Sequence, residues 1–127
     1  MQDNDNQIEQ EIQAKGLTAP RVTPADIETN IASEHYFTAG QAERSIKIVR
    51  SGTFAGGDAP EPPKALDLLT FCVLVLKNGF TVTGESACAS PENFDAEVGR
   101  KIARANAVNK IWPLMGYHLK QRLHEQR

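Results

Sequence analysis

Long apolar runs, cysteines and blocks of like charge are all scarce in this chain of 127 residues, and each scarcity removes a class of protein. The longest apolar run is Phe71–Leu76, far short of the roughly 18 residues from which a membrane-spanning helix is read. The two cysteines, Cys72 and Cys88, are too few for a disulfide framework and lack the spacing of a zinc knuckle, so they read as small hydrophobes kept reduced. The N-terminal MQDNDNQ has neither the positive nor the apolar region of an export signal, which leaves a cytoplasmic location as the expectation. A formal net charge of -2, with no five consecutive like charges, supplies no global field for nucleic acid or membrane.

What is present is enough for one core and too little for two. Charge is unevenly spread. Residues 1–34 carry Asp3, Asp5, Glu9, Glu11, Asp26, Glu28 and Glu34 against two bases, while 97–127 carry Arg100, Lys101, Arg104, Lys110, Lys120, Arg122 and Arg127 against two acids. The two ends can therefore attract each other, within one chain or between subunits.

Residues 1–20 offer one short helical stretch, Gln7–Lys15, with only Ile8 and Ile12 to bury, and read as a mobile or partner-dependent arm. Residues 21–127 read as a single domain. Its first start signal is Thr23-Pro24-Ala25-Asp26, a cap, a first-turn proline and an acid facing the positive helix end. That helix is expected to run to about Ser33 with Ile27 and Ile31 buried. From about 39 to 66 the pattern breaks into a long excursion: Ser45–Val49 alternates like a short strand, and Gly56-Gly57-Asp58 and Pro60-Glu61-Pro62-Pro63 break any regular element.

TFCVLVLKNGFTVTGESAC, residues 70–88, reads as a β-hairpin about an Asn78-Gly79 turn. A two-residue loop pairs Val75 with Val82 and Val73 with Gly84. One face then shows Phe71, Val73, Val75, Phe80 and Val82 and is expected to be core. The other shows Cys72, Leu74 and Leu76 beside Thr81, Thr83 and Glu85, and needs cover from another segment, a second subunit or a ligand.

The last third reads as a long helix with the stripe Phe94, Val98, Ile102, Ala105, Val108, Trp112, Met115, Leu119, Leu123 packed on the hairpin. Gly99, Ala103 and Ala107 form a neighbouring small face that admits a second backbone. Pro113 predicts a kink or a break. The fold class is thus α+β: a hairpin or small antiparallel sheet on a long C-terminal helix, plus a short N-terminal helix.

Residues 68–123 resemble the core of a family of small accessory proteins of tailed bacteriophages and prophages, of the coliphage N-four and phage Sf-six type. The resemblance is carried by Asn78-Gly79-Phe80, Gly84-Glu85-Ser86, Phe94-Asp95 with Gly99, and Ile111-Trp112 with Gly116-Tyr117. The upstream Thr23-Pro24 helix with His35-Tyr36-Phe37 is also similar. It implies a dispensable phage or prophage gene acting inside an infected bacterium, and brings no catalytic residues with it.

No nucleophile–base–orienter set, glycine-rich phosphate loop or metal-ligand spacing appears, so no enzyme, no cofactor and no metal are expected. The scattered His35, His118 and His124 do not make a metal site, although His118 and Arg122 stand one turn apart. The candidate ligand site is the strand end Gly84-Glu85-Ser86 facing the helix at Trp112-Pro113, with Tyr117 and Arg104 or Lys110 at its rim. Trp112 and Tyr117 would stack a base and the basic residues would meet phosphate. The bland alternatives are a bulged strand end, core aromatics and a solvated basic face. The leading function is a non-catalytic homo-oligomer in the host cytoplasm that counteracts or modulates the host by binding a small nucleotide-like signal or a host protein. The alternative is a DNA-associated accessory protein using the basic C-terminal helix.

Overall fold

Local capping chemistry sets the first elements. The computed structural model describes residues 2–51 and 61–127, so Gly56-Gly57-Asp58 and Pro60 lie outside the described residues. Helix α1 spans Gln2–Ala14, beginning earlier than its apolar spacing implies and ending before Gly16. Helix α2 spans Pro24–Thr29. Its start is as predicted: the Asp26 amide donates to Thr23 Oγ1 at 3.1 Å and the Thr23 amide donates to the Asp26 carboxylate at 2.9 Å.

α2 stops at Thr29, not at Ser33, because the next residues are claimed by a strand the sequence reading missed. Strand β1, Ile31–Thr38, pairs antiparallel with β2, Leu69–Leu76, placing His35 opposite Val73 and Phe37 opposite Phe71. On its other side β2 pairs antiparallel with β3, Thr81–Ala87, to give the order β1-β2-β3. The uninterrupted apolar run of β2 now has a cause: it is the central strand.

The hairpin register differs by one residue from the expected one, and that slip exchanges the faces. Leu76 N–H donates to the Phe80 carbonyl at 2.8 Å, so the loop is the three residues Lys77-Asn78-Gly79, not two. Gly79 sits at φ 89°, where a side chain would be strained, and Asn78 Oδ1 accepts from the Phe80 amide at 2.9 Å. Leu74 consequently pairs with Val82 and Cys72 with Gly84. Because side chains alternate, Cys72, Leu74, Leu76 and Val82 form the buried face, while Phe71, Val73 and Val75 are only half-buried and Phe80 is exposed.

Helix α4, Ala96–Glu125, covers that buried face. Asp95 caps it, its Oδ1 accepting from the Val98 amide at 3.0 Å. The small face is what meets the sheet: Ala103, Ala107 and Ile111 are fully buried, whereas Val98 of the expected stripe is exposed. Small residues let the helix axis approach the strands, and the bulkier Trp112 and Met115 pack at the edge of the core. α4 runs through Pro113 as one helix, so of the expected kink or break the break is ruled out. Among the described residues no helix is long and apolar enough to cross a membrane.

The first half of the expected excursion is also regular. Residues Ala39–Ser51 form helix α3, with no strand at 45–49. Its start is a second capping box: the Gln41 amide donates to Thr38 Oγ1 at 3.1 Å and the Thr38 amide to Gln41 Oε1 at 2.9 Å. A 3-10 turn at Lys64–Leu68 leads into β2. Arg44 ties α3 to it, donating to both Asp67 oxygens at 2.9 and 3.1 Å, and this pair holds the Asp67 carboxyl below its usual range.

Candidate functional site

The opposite charges of the two chain ends meet at Arg104. Its guanidinium donates to both Glu28 oxygens, at 3.1 and 2.7 Å, and to both Glu34 oxygens, at 2.9 and 3.2 Å. With its side chain only 18% exposed, Arg104 joins α2, β1 and α4. The Arg104 guanidinium, and secondarily the Tyr36 hydroxyl donating to Glu34 at 2.6 Å, hold the Glu34 carboxyl below its usual range. Burial, and then that bond to Glu34, push the Tyr36 phenol up. Arg104 is therefore a structural clamp and not a free rim cation.

The other expected site residues do not converge on one place. Gly84 is buried against the α4 backbone at Ala103 and Ala107. Glu85 is exposed, and its carbonyl accepts from Asn106 Nδ2 at 2.8 Å, so the α4 side chain that hydrogen-bonds the strand end is that of Asn106 and not of Trp112. Ser86 lines a small cavity with Cys88, Phe94 and Ile102. Lys110 reaches along β3 to Thr83 Oγ1 at 3.5 Å. Trp112 faces a different neighbourhood, lining the space between α4, α1 and α2 with Pro24 and Val108. Tyr117 is 74% exposed.

A separate group of residues does come together where the C-terminal half of α4 passes α2 and the hairpin tip. An open groove of about 570 Å³ runs between Asp26 and Asn30 of α2 and its cap, Lys77-Asn78 of the hairpin loop, and Leu114, Met115, His118, Leu119 and Arg122 of α4. Asn30 fixes the junction: its carbonyl accepts from the Lys77 amide at 3.0 Å and its Nδ2 lies 3.5 Å from Met115 Sδ. The floor is apolar. The side chains of Lys77, His118 and Arg122 on its walls have no hydrogen bond or ion pair among the described residues. Arg21 also lines the groove but is held by Glu9, which accepts from both its terminal nitrogens, one at 2.7 Å. That pairing, assisted by Gln13, holds the Glu9 carboxyl down at about 2.

The sequence offers Lys77-Asn78-Gly79-Phe80 as a ligand-binding tip, but a hairpin needs Asn-Gly for its geometry alone, and from sequence the turn reading is preferred. The one-turn spacing of His118 and Arg122 was visible, but nothing in the sequence brings the hairpin tip to them. Among the described residues no three His, Cys, Asp or Glu side chains gather to hold a metal ion.

Similarity to known proteins covers most of this architecture. Residues 22–123, from the linker before α2 into the last turn of α4, match the phage protein (N4 Gp49/phage Sf6 gene 66) family, and the match includes the Arg104 clamp and all of the groove lining but Arg21. No curated protein and no solved structure matches significantly. With the match spanning the whole sheet and nearly all of α4, the chain belongs to the phage protein family of N4 Gp49 and phage Sf6 gene 66.

Proposed function

We propose that this phage accessory protein acts in the host cytoplasm by binding and not by catalysis, sequestering a small, anionic, nucleotide-like signal and so modulating or counteracting the host. One observation carries the reading: a groove of about 570 Å³ places unpaired Lys77, His118 and Arg122 around the apolar floor of Leu114, Met115 and Leu119. That volume suits a small molecule, and convergent donors over an apolar surface suit one with both a phosphate and a hydrophobic part. Ser33 Oγ and His35 Nε2 lie 3.0 Å apart on β1, but no described residue orients the other ring nitrogen, which supports binding over nucleophilic chemistry.

The DNA-associated reading uses the basic C-terminal helix, of which Arg100, Lys101 and Arg104 form one ridge. Arg104 is held by two carboxylates and Lys101 pairs with Glu97 at 3.3 Å, which favours the small-molecule reading. A homo-oligomer remains part of the proposal, with a changed motive. Cys72, Leu74 and Leu76 are covered by α4, so the surface left to a second copy is the outer sheet face, where Phe37 and Phe71 stack at 5.5 Å beside Val73 and Val75. Light scattering that returned the 13.9 kDa of one chain at micromolar concentration would remove this part.

Calorimetry against mono-, di- and cyclic nucleotides tests the main reading. Binding that weakens tenfold or more in Arg122→Ala supports it; no binding across the panel transfers the function to a host protein.

A further inference from the structure

At the end of the sheet where β1 passes into α3, a cavity of about 230 Å³ opens between the strands and the first turns of α4. Thr38, Gln41, Thr70 and Arg100 line it with polar groups, Tyr36 and Phe94 with apolar surface, and no lining residue carries a carboxylate. Thr70 of β2 is the one buried polar residue among the described residues, 3% exposed, and its hydroxyl makes no hydrogen bond to any of them. Its Oγ1 points to the first turns of α4, since a β-carbon on Gly99 would stand 3.0 Å from it. The oxygen is not closed off: among the described residues only Trp112 Nε1 is both unpartnered and shut away from solvent, so the surface that Thr70 Oγ1 keeps lies on the cavity Thr70 lines. Buried hydroxyls are rarely left without a partner, and this one has room beside it for an acceptor.

The other polar groups around the cavity are donors too. Arg100 makes no hydrogen bond or ion pair among the described residues. It stands four residues beyond Ala96, and both line the cavity from one face of α4. Gln41 Oε1 accepts from the Thr38 amide, which leaves the Gln41 Nε2 donor without a partner among the described residues. Asp95 takes the Val98 amide, so the amides of Ala96 and Glu97 have no acceptor within the helix, at the positive end of an element of 30 residues. Glu34, Asp67 and Glu97 on the flanking segments are each paired, with Arg104, Arg44 and Lys101. The groups left unpaired at the cavity therefore favour a negative ligand.

We propose that this cavity is a second binding site, for a small molecule that carries an oxyanion on one apolar, ring-sized group. The Arg100 guanidinium and the Thr70 O–H take the oxyanion at the start of α4, and Tyr36 and Phe94 flank the apolar group. At about 230 Å³ the space is smaller than the ~300–1,000 Å³ of drug-sized sites, which limits the ligand to about one ring. The site is independent of the groove: Arg100 and Arg122 are 22 residues apart on α4, about 33 Å along the helix, too far for one small ligand to span.

The full chain, isotope-labelled for NMR, is titrated with phenylacetate, phenyl phosphate, the uncharged phenylacetamide and inorganic phosphate. Phenylacetate or phenyl phosphate should bind saturably, move the amide signals of Thr70, Ala96 and Arg100, and bind about tenfold or more tighter than phenylacetamide and inorganic phosphate. The tighter of the two identifies the oxyanion as carboxylate or phosphate. Arg100→Gln and Thr70→Val should each weaken that binding about fivefold or more, while Arg122→Ala, at the other end of α4, should leave it unchanged. Thr70→Val keeps the side-chain shape and removes a hydroxyl that the fold does not use, so its thermal midpoint should equal or exceed the parent's. A lowered midpoint would show the hydroxyl to be satisfied within the fold and would overturn the proposal. It is equally overturned by the absence of saturable binding by both anions, by equal affinity for phenylacetamide and phenylacetate, or by affinity unchanged in either Arg100→Gln or Thr70→Val.

Discussion

Gly84 on β3 lies so close to the Ala103 carbonyl oxygen and the Ala107 amide nitrogen of α4 that no β-carbon fits between strand and helix. The obstacle is backbone on both sides, so a side chain here cannot rotate out of the way. Gly84→Ala is expected to force α4 from the sheet and destabilise the fold by about 1–3 kcal/mol or more. Urea denaturation monitored by circular dichroism measures it, and a midpoint within error of the parent would refute the close approach. Gly116→Ala, where a β-carbon would meet nothing within 4 Å, is the control expected to show no loss.

Arg104 is the second point at which the fold is vulnerable. Truncation in Arg104→Ala leaves Glu28 and Glu34 facing each other without their shared cation, and about 1–3 kcal/mol should be lost, discounted from the fully buried case because both carboxylates reach solvent. Arg104→Lys should recover only part, since an ammonium cannot make two bidentate pairs. The pH dependence has a definite sign. Glu34 is held below its ordinary value in the folded state, so its contribution is present above the ordinary carboxylate range and is lost as pH falls below it. Arg104→Ala should therefore flatten the acid limb of the stability curve, and a limb unchanged from the parent would show that the clamp is not its source.

Removal of residues 1–20 should leave the body folded, with a loss no greater than about 1 kcal/mol. α1 has only Ile8 and Ile12 to bury, and Ile8 is exposed. A thermal midpoint lowered by more than about 10 °C would show α1 to be integral.

α1 should also come away in acid. Its Glu9–Arg21 pair holds Glu9 at about 2 against an ordinary 4.5, so the attachment is complete above 4.5 and weakens progressively as pH falls toward 2. Limited cleavage within residues 15–20 by an acid-active protease should accelerate over that window. In Arg21→Ala the acceleration should already be present at higher pH; equal rates for the two proteins at pH 6 would count against the pair as the fastening.

Ligand binding should separate the residues expected from sequence by their place in the fold. Arg122→Ala should weaken nucleotide binding, whereas Ser86→Ala should leave it unchanged, because Ser86 lies in the cavity with Cys88 and Phe94, away from the groove. Tyr117→Ala should also be neutral, its ring being almost wholly in solvent. Calorimetry on the three variants decides it: a loss in Ser86→Ala with none in Arg122→Ala would return the site to the strand end.

Several features were legible in the residues alone because short-range chemistry determines them. Thr23-Pro24-Ala25-Asp26 specifies a helix start through two reciprocal hydrogen bonds three residues apart, and the last third specifies a long helix through its spacing of apolar side chains. The capping box at Thr38 and Gln41 was readable on the same grounds, although glycine- and proline-rich neighbours obscured it. The apolar run of β2 implied cover for its second face, but its place as the central strand came only from the structure. Its edge partner could not be named, because Ile31 and Tyr36 suit a helix or a strand until β2 offers hydrogen bonds to them. The hairpin was predictable, but its faces were not. Loops of two and three residues about Asn78-Gly79 differ little in local sequence, and one residue exchanges every inward and outward side chain. Only packing decided between them: Cys72, Leu74 and Val82 fit against Ala103 and Ala107, and Gly84 admits the backbone of α4. The groove is likewise a tertiary product, since Lys77 meets His118 and Arg122 only after Asn30 has tied the hairpin tip to the end of α2.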